Sequence, residues 1–418
     1  MNKLSTPLRV TVVTSYYPPD FASISNYYKD LVTDLSAFGA VVTLVCGIPT
    51  RLVTDEITKQ YAKNPVEVIS ENLRIIRTGP PRSEGRNLVY RAFYHIYRSW
   101  CVYRKAREIE TDLYYVCSTP PFLGVFGALL SKRARTIYDL HDVFPDTLVN
   151  SGKVKENSVL VKVLRRVEKY VYKRNTHIRI ISEDMADTLR SRGVPDDKIS
   201  IIYNWVDENA VTYIERRNNP IFDSLGIPRE GFYACYAGNI GLLQNLTTLI
   251  NAAEVLKEKE PLIRFIIIGD GAWKQEMLAQ ISDKGLDNIS VFPMQDTEHV
   301  PYVYNIADIG VVTIAKGVTK GSLPSKTWSI MSASRPVLCE TDKGSELEKI
   351  IAGNNCGLCV PPGDVKGFVG AVMALYDDRD LVAEMGRNGR TFVENNITRG
   401  NSTKKIWACV QNVVNGCE

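Results

Sequence analysis

Tyr236-Ala-Gly-Asn-Ile-Gly-Leu-Leu-Gln-Asn-Leu246, Ile266-Ile-Ile-Gly-Asp-Gly271 and Lys320-Gly-Ser-Leu-Pro-Ser-Lys326 fall within one stretch of the chain, Tyr236 to Pro336. The first two join an apolar run to a helical one through glycine. At such a turn the backbone of Gly238 can approach an anion, and the helix that follows from Leu246 offers free N–H donors. The same residues also suit a tight turn with no ligand, and the spacing is not the GxGxxG of a dinucleotide site. Gly269 closes the second run. Asp270 behind it can accept a ribose hydroxyl or cap the next helix, since Asp is a preferred N-cap. Lys320 and Lys326 flank the third segment, at the start of a helix over 327–333. They can supply point charges to a diphosphate, or stand as ordinary surface lysines.

Outward from this stretch, strands predicted at 232–237, 262–268, 289–292, 308–314 and 335–339 alternate with helices. The first half repeats the pattern, with apolar runs at Leu8–Thr14, Ala40–Cys46, Leu73–Arg77, Leu113–Cys117, Thr136–Leu140 and His177–Ser182. Strand–helix alternation predicts parallel sheets covered on both faces, hence an α/β fold of two Rossmann-like domains. Residues 208–230 are polar and carry Pro220 and Pro228, which suits a linker. The expected division is 1–207, the linker 208–230, a second domain 231–395, and a last helix 396–418 with Trp407.

A chain of 418 residues has material for two cores, and a net charge of +4 gives no reason to expect nucleic acid as partner. Nine cysteines without framework spacing suggest a reducing compartment. Cys356-Gly-Leu-Cys359 has no second CxxC pair to complete a zinc site and is expected to be structural. No leader and no membrane-spanning run is visible, so the expectation is a cytoplasmic protein.

Two features of the first half stand out. His141 and Asp142 end an apolar strand in Asp139-Leu-His-Asp-Val-Phe-Pro-Asp146, the place where open α/β sheets bind ligands. A hydrogen-bonded structural histidine also fits there. Residues 74–107 hold nine Lys/Arg against one acid, Glu84, with aromatics at Tyr90, Phe93, Tyr94, Tyr97, Trp100 and Tyr103. Arg86, Arg91, Arg98, Trp100 and Arg104 in this segment suit the inner, anionic face of a membrane, with a second basic run at Lys162–Arg174. A core-packed helix with a solvated basic face fits equally.

The whole chain resembles the GT-B-fold, retaining glycosyltransferases of family 4. It is most similar to the branch that adds amino or deoxy sugars, such as N-acetyl-L-fucosamine, in bacterial polysaccharide assembly. The resemblance rests on Tyr16-Tyr-Pro-Pro-Asp20, His141-Asp-Val-Phe-Pro-Asp146, Ile180-Ile-Ser-Glu-Asp-Met185, Gly193-Val-Pro, Ala237-Gly-Asn-Ile-Gly241, Gly269-Asp-Gly271, Leu323-Pro-Ser-Lys326 and Gly357-Leu-Cys-Val-Pro-Pro-Gly363. It implies a donor site in the second domain, an acceptor site mainly in the first, reaction in the cleft between them, and a last helix crossing back to the first domain.

The chain departs from the family at the Glu-x7-Glu motif, where Gly321 and Ser329 stand. Asn239 and Gln244 stand where an Arg and a Lys usually hold the donor diphosphate. The resemblance therefore implies that Lys320 and Lys326 replace the lost cations, with Glu346 as the remaining carboxylate and Ser329 as a neutral hydrogen-bonding partner. The resulting expectation is a UDP-type nucleotide-sugar donor bound by Gly238, Asn239, Gln244, Gly269, Asp270, Lys320, Ser329 and Glu346. His141, Asp142 and Lys326 serve the chemistry. The acceptor is a lipid-diphosphate-linked sugar, with no cofactor and no metal. A non-hydrolysing nucleotide-sugar epimerase and a non-catalytic nucleotide-sugar-binding module are the alternatives.

Overall fold

The computed structural model describes residues 7–20, 23–81, 88–150, 152, 154–321 and 323–416. They form two compact units. One comprises the described residues of 1–149, 154–203 and 402–418. The other comprises those of 150–153 and 204–401.

The first unit holds β1 (Arg9–Val13), β2 (Val41–Gly47), β3 (Val66–Ser70), β4 (Leu73–Thr78), β5 (Leu113–Cys117), β6 (Arg135–Asp139), β7 (His177–Ile180) and β8 (Ile199–Ile201). They lie in the order β3-β4-β2-β1-β5-β6-β7-β8. All pairs are parallel except β3 with β4. The strands read as nearly unbroken apolar runs because helices cover both faces: every residue of Leu113–Cys117 is buried. From Ser402 on, the helix Arg399–Asn415 belongs to this unit. Trp407 lies against Phe38, ring centres 6.3 Å apart, and the Cys409 thiol reaches the Ser200 hydroxyl at 3.7 Å.

The second unit holds β9 (Phe232–Asn239), β10 (Ile263–Asp270), β11 (Ile289–Phe292), β12 (Ile309–Thr313), β13 (Val337–Glu340) and β14 (Gly357–Val360), in the order β11-β10-β9-β12-β13-β14, all parallel. Strand periodicity divides β9 between two cores. Phe232, Ala234 and Tyr236 face Leu249, Ile250 and Phe368, while Tyr233, Cys235 and Ala237 face Phe222 and Ile306.

That second core takes in part of the 208–230 stretch, expected as a linker. Ile221 and Phe222, on the short helix Ile221–Leu225, are buried, and Arg216 pairs with Asp308 at 2.5 Å. Burying Phe222 contributes roughly 2–3 kcal/mol. The prolines that suggest a break instead bracket a helix: Pro220 stands directly before it and Pro228 follows its glycine cap, Gly226.

Cys356 is buried, with its thiol on the Ile351 carbonyl at 3.4 Å, and the described cysteines are all free. No helix among the described residues is long and apolar enough to cross a membrane.

Candidate active site

In each sheet the strand order reverses direction at one place. Parallel α/β sheets bind ligands beyond the carboxyl ends of the strands at such a point. In the second unit it lies between β9 and β12. Gly238 and Asn239 end β9, and the helix Lys326–Ser332 follows β12.

The backbone at the end of β9 is packed too closely for side chains. A Cβ on Gly269 would strike the Gly238 carbonyl, and one on Gly271 would strike the backbone of Ile240. The amide of Ile240 donates to Asp270 O (2.8 Å), and the amide of Trp273 donates to Ile240 O (3.0 Å), tying the two turns together. Asn239, at the end of β9, and Gln244 lie beside this turn. They hydrogen-bond each other, Nδ2 to Oε1 at 3.0 Å, over Gly241. Asp270 accepts from the Gly271 amide at 2.9 Å and lies 3.7 Å from Lys274. It does not cap the following helix, whose N-cap is Trp273 without a side-chain hydrogen bond.

Lys326 is the group these turns enclose. Its stem is half-exposed, but the ammonium nitrogen is buried and has no hydrogen-bond partner among the described residues. It lies 3.6 Å from the centre of the Tyr236 ring, and a Cβ on Gly238 would lie 2.9 Å from it. Tyr236 is itself fixed, its hydroxyl donating to Asn239 O at 2.6 Å. Burial pushes the Lys326 ammonium down to about 7. A cation held against an aromatic face, with no counter-anion among the described residues, is poised for an anionic ligand.

Lys320 is exposed on the turn Thr319–Gly321. Ser329 bonds the Tyr304 hydroxyl. Glu346 is buried in the first turn of the helix Glu346–Gly353. The carboxylate the sequence reading passed over is Glu340. Fully buried at the end of β13, it accepts on Oε1 from Asn245 Nδ2 (2.7 Å), Thr248 Oγ1 (2.8 Å) and the Gly363 amide (2.5 Å). It thereby fixes the left-handed Asn245 that opens the helix Leu246–Lys259. Burial raises its pKa against these three donors. Its signal in the sequence was an acid ending the apolar run Val337-Leu-Cys.

In the first unit the sheet reverses between β1 and β5. His141 lies beside the end of β5, its amide donating to the Ser118 hydroxyl at 3.0 Å. Its Nε2 faces Asp139 Oδ2 at 3.1 Å, and Asp139 Oδ1 accepts from the buried Arg179 at 2.8 Å. Asp142 keeps an exposed surface, yet desolvation pushes its carboxyl up to about 6. The partner of His141 is therefore Asp139, two residues earlier on the strand. Arg179 was legible only as the lone charge in His177-Ile-Arg-Ile-Ile181.

The description Glycosyltransferase Family 4 matches residues 24–210, and Glycosyl transferases group 1 matches residues 218–392. The chain belongs to the GT-B glycosyltransferases. It is 24% identical over 411 residues to the probable glycosyltransferase WbjE of Pseudomonas aeruginosa, covering 96% of this chain and 98% of that one. It is 25% identical to the putative colanic acid biosynthesis glycosyl transferase WcaI of Escherichia coli, covering 87% and 91%. Among solved structures, the fold is shared with HepE of Anabaena, solved in complex with UDP and glucose. The TM-score is 0.71 at 14% identity, over 97% of this chain and 100% of that one.

The basic helix of this glycosyltransferase, Leu88–Arg107, is divided between two roles. Arg98, expected on its outer face, is buried. It donates to Ser15 O (2.9 Å) and Thr50 Oγ1 (2.6 Å) and lies 3.8 Å from Asp20. A Cβ on Gly47 would run into its guanidinium. Tyr90, Phe93, Ile96, Tyr97 and Trp100 are exposed, with the Arg104 guanidinium 5.0 Å from the Trp100 ring centre. Arg86 and the side chain of Arg91 lie outside the described residues. The helix Val159–Arg174 exposes Val159, Leu160, Val163 and Val167, and both helices pack on the helix Phe122–Leu130. Asp296, Glu298 and His299 gather on a turn where both acids are exposed.

Proposed function

We propose that this chain is a retaining sugar transferase of polysaccharide assembly. It takes its sugar from a UDP-type nucleotide donor and delivers it to a lipid-diphosphate-linked sugar. The reading rests on the Lys326 ammonium, buried beside the glycine turn that ends β9 and without an acceptor among the described residues. A diphosphate supplies the missing acceptor, and neutralising its charge is the main electrostatic demand as the bond from the anomeric carbon to phosphate breaks. The electron pair of that bond leaves with the diphosphate. The acceptor hydroxyl forms the new bond on the same face of the sugar, and its proton passes to the departing phosphate oxygen. The N-terminus of the helix Leu246–Lys259 adds partial positive charge. No metal or cofactor enters this scheme.

The polysaccharide setting is supported by the colanic acid biosynthesis that WcaI is named for, and the UDP donor by what HepE was solved with. The lipid-linked acceptor is supported by the aromatic side chains exposed on Leu88–Arg107 and the aliphatic ones on Val159–Arg174. Lys105, Arg107, Lys173 and Arg174 close those helices, and such a surface matches an anionic membrane. A thermal-shift panel of UDP, GDP and their sugars on wild type and Lys326→Met tests the donor site. Stabilisation by a UDP-sugar that the variant loses is the expected result. Equal stabilisation of both proteins removes Lys326 from the site. Sugar transfer to a lipid-linked acceptor separates a transferase from an epimerase or a binding module.

A further inference from the structure

The loop that leaves β2 carries a strained residue that stability does not explain. Leu52 has φ +54°, in the left-handed region, and is 78% exposed. A single exposed leucine is ordinary, but at this angle its Cβ crowds the following carbonyl, and glycine would sit there with less strain. The conformation has a firm support. Buried Asp20 accepts on Oδ1 from the amides of Thr50 and Arg51, each at 2.7 Å. The buried Arg98 guanidinium donates to Thr50 Oγ1 at 2.6 Å and lies 3.8 Å from Asp20. Arg51, next to Leu52, is exposed and has no ion pair among the described residues. Its guanidinium stands 5.9 Å from the centre of the Tyr16 ring, and that of Arg98 stands 5.4 Å from the same ring. Tyr16 follows β1, the strand at which the order of the first sheet reverses. A braced loop therefore offers an unpaired cation and an apolar side chain side by side, at the end of the sheet where ligands bind.

We propose that Arg51 and Leu52 bind the lipid diphosphate of the acceptor, the guanidinium pairing with phosphate oxygens and Leu52 packing on the first carbons of the lipid chain. The inference rests on the reading of a lipid-diphosphate-linked acceptor, and it names the residues that take its lipid end. A lipid diphosphate joins an anion directly to a hydrocarbon, the pairing that these two neighbours complement. The guanidinium fork suits phosphate geometry. The left-handed angle at Leu52 is the kind of local strain that persists at ligand sites when the surrounding structure enforces it. Arg98 also ties the loop to the helix Leu88–Arg107, whose exposed side carries the aromatic residues suited to a membrane.

The test is calorimetric titration of the full chain with farnesyl diphosphate and with inorganic diphosphate, UDP being present at saturation to fill the donor site. Arg51→Gln should weaken both probes about tenfold. Leu52→Gly should weaken farnesyl diphosphate about fivefold and leave inorganic diphosphate as in wild type. The glycine variant should melt no lower than wild type, because glycine fits the left-handed angle, so its lost affinity is not lost folding. Failure of wild type to bind farnesyl diphosphate, or equal binding by all three proteins, overturns the proposal. So does a Leu52→Gly loss that extends equally to inorganic diphosphate. Lost binding to phosphatidylglycerol vesicles with farnesyl diphosphate binding intact assigns the loop to the membrane surface and also overturns it. Transfer to a lipid-linked acceptor with acceptor KM unchanged in both variants overturns the subsite and leaves the transferase standing. Probe affinity lost as expected, in a protein that transfers no sugar, keeps the subsite and overturns the transferase.

Discussion

The ammonium nitrogen of Lys326 lies 3.6 Å from the centre of the Tyr236 ring and has no hydrogen-bond acceptor among the described residues. The protein thus holds a cation where folding gains least from it. Lys326→Met should raise the unfolding free energy by about 1–3 kcal/mol near pH 6, allowing for the half-exposed stem, and should strongly weaken donor binding. The folded pKa of about 7 lies below that of the unfolded chain. The folding penalty is therefore complete below pH 7 and fades as pH rises toward the ordinary lysine range. The advantage of the Met variant should shrink over the same interval in denaturant titrations.

The same ammonium predicts a pH dependence for the donor. Above pH 7 the free protein increasingly holds Lys326 neutral, so binding a diphosphate requires proton uptake. Donor Kd should rise up to about tenfold per pH unit above that point. In Lys326→Met the residual Kd should be flat with pH. Calorimetry in buffers of different ionisation enthalpy would register the proton directly.

Gly238 has φ +141° and leaves room for the Lys326 nitrogen, 2.9 Å from where a Cβ would stand. Gly238→Ala should cost about 1–2 kcal/mol of stability and weaken donor binding more than it slows turnover at saturating donor. A variant with wild-type donor KM would show that the turn and the lysine act apart.

Arg98 and Trp100 should separate core from surface on one helix. Arg98→Ala leaves Asp20 buried without its cation and should cost about 3–5 kcal/mol. Phe93→Ser combined with Trp100→Ser should leave stability within about 0.5 kcal/mol but reduce co-sedimentation with anionic vesicles. Salt should weaken the wild-type association. Equal pelleting of wild type and double variant at low salt would count against the membrane face.

Glu340 gathers three donors on one oxygen, two from the start of the helix Leu246–Lys259 and one from the turn at Gly363. Glu340→Ala strands Asn245 and Thr248 and should cost about 2–4 kcal/mol in denaturant unfolding. Donor KM should rise as the start of the Leu246–Lys259 helix loosens. Glu340→Gln, which keeps the Oε1 acceptor, should recover most of both.

The two-sheet α/β architecture was legible in the sequence because its signals are local. Buried parallel strands read as apolar runs such as Leu113–Cys117, and glycines mark the turns that leave them. The catalytic candidates His141 and Lys326 were legible too, since each stands at a strand or helix end. What each side chain touches was decided only by tertiary structure. Asp139 and Arg179 are 40 residues apart in sequence, and strand order alone makes them neighbours. Arg98 and Trp100 look alike in a basic aromatic segment, yet helical rotation buries one against Asp20 and turns the other to solvent. Asn239 and Gln244 were read as partners of a ligand, and only the structure shows the hydrogen bond between them. Propensity and periodicity fix which residues form an element. Hydrogen bonds and charge compensation depend on distances that only the packed chain sets.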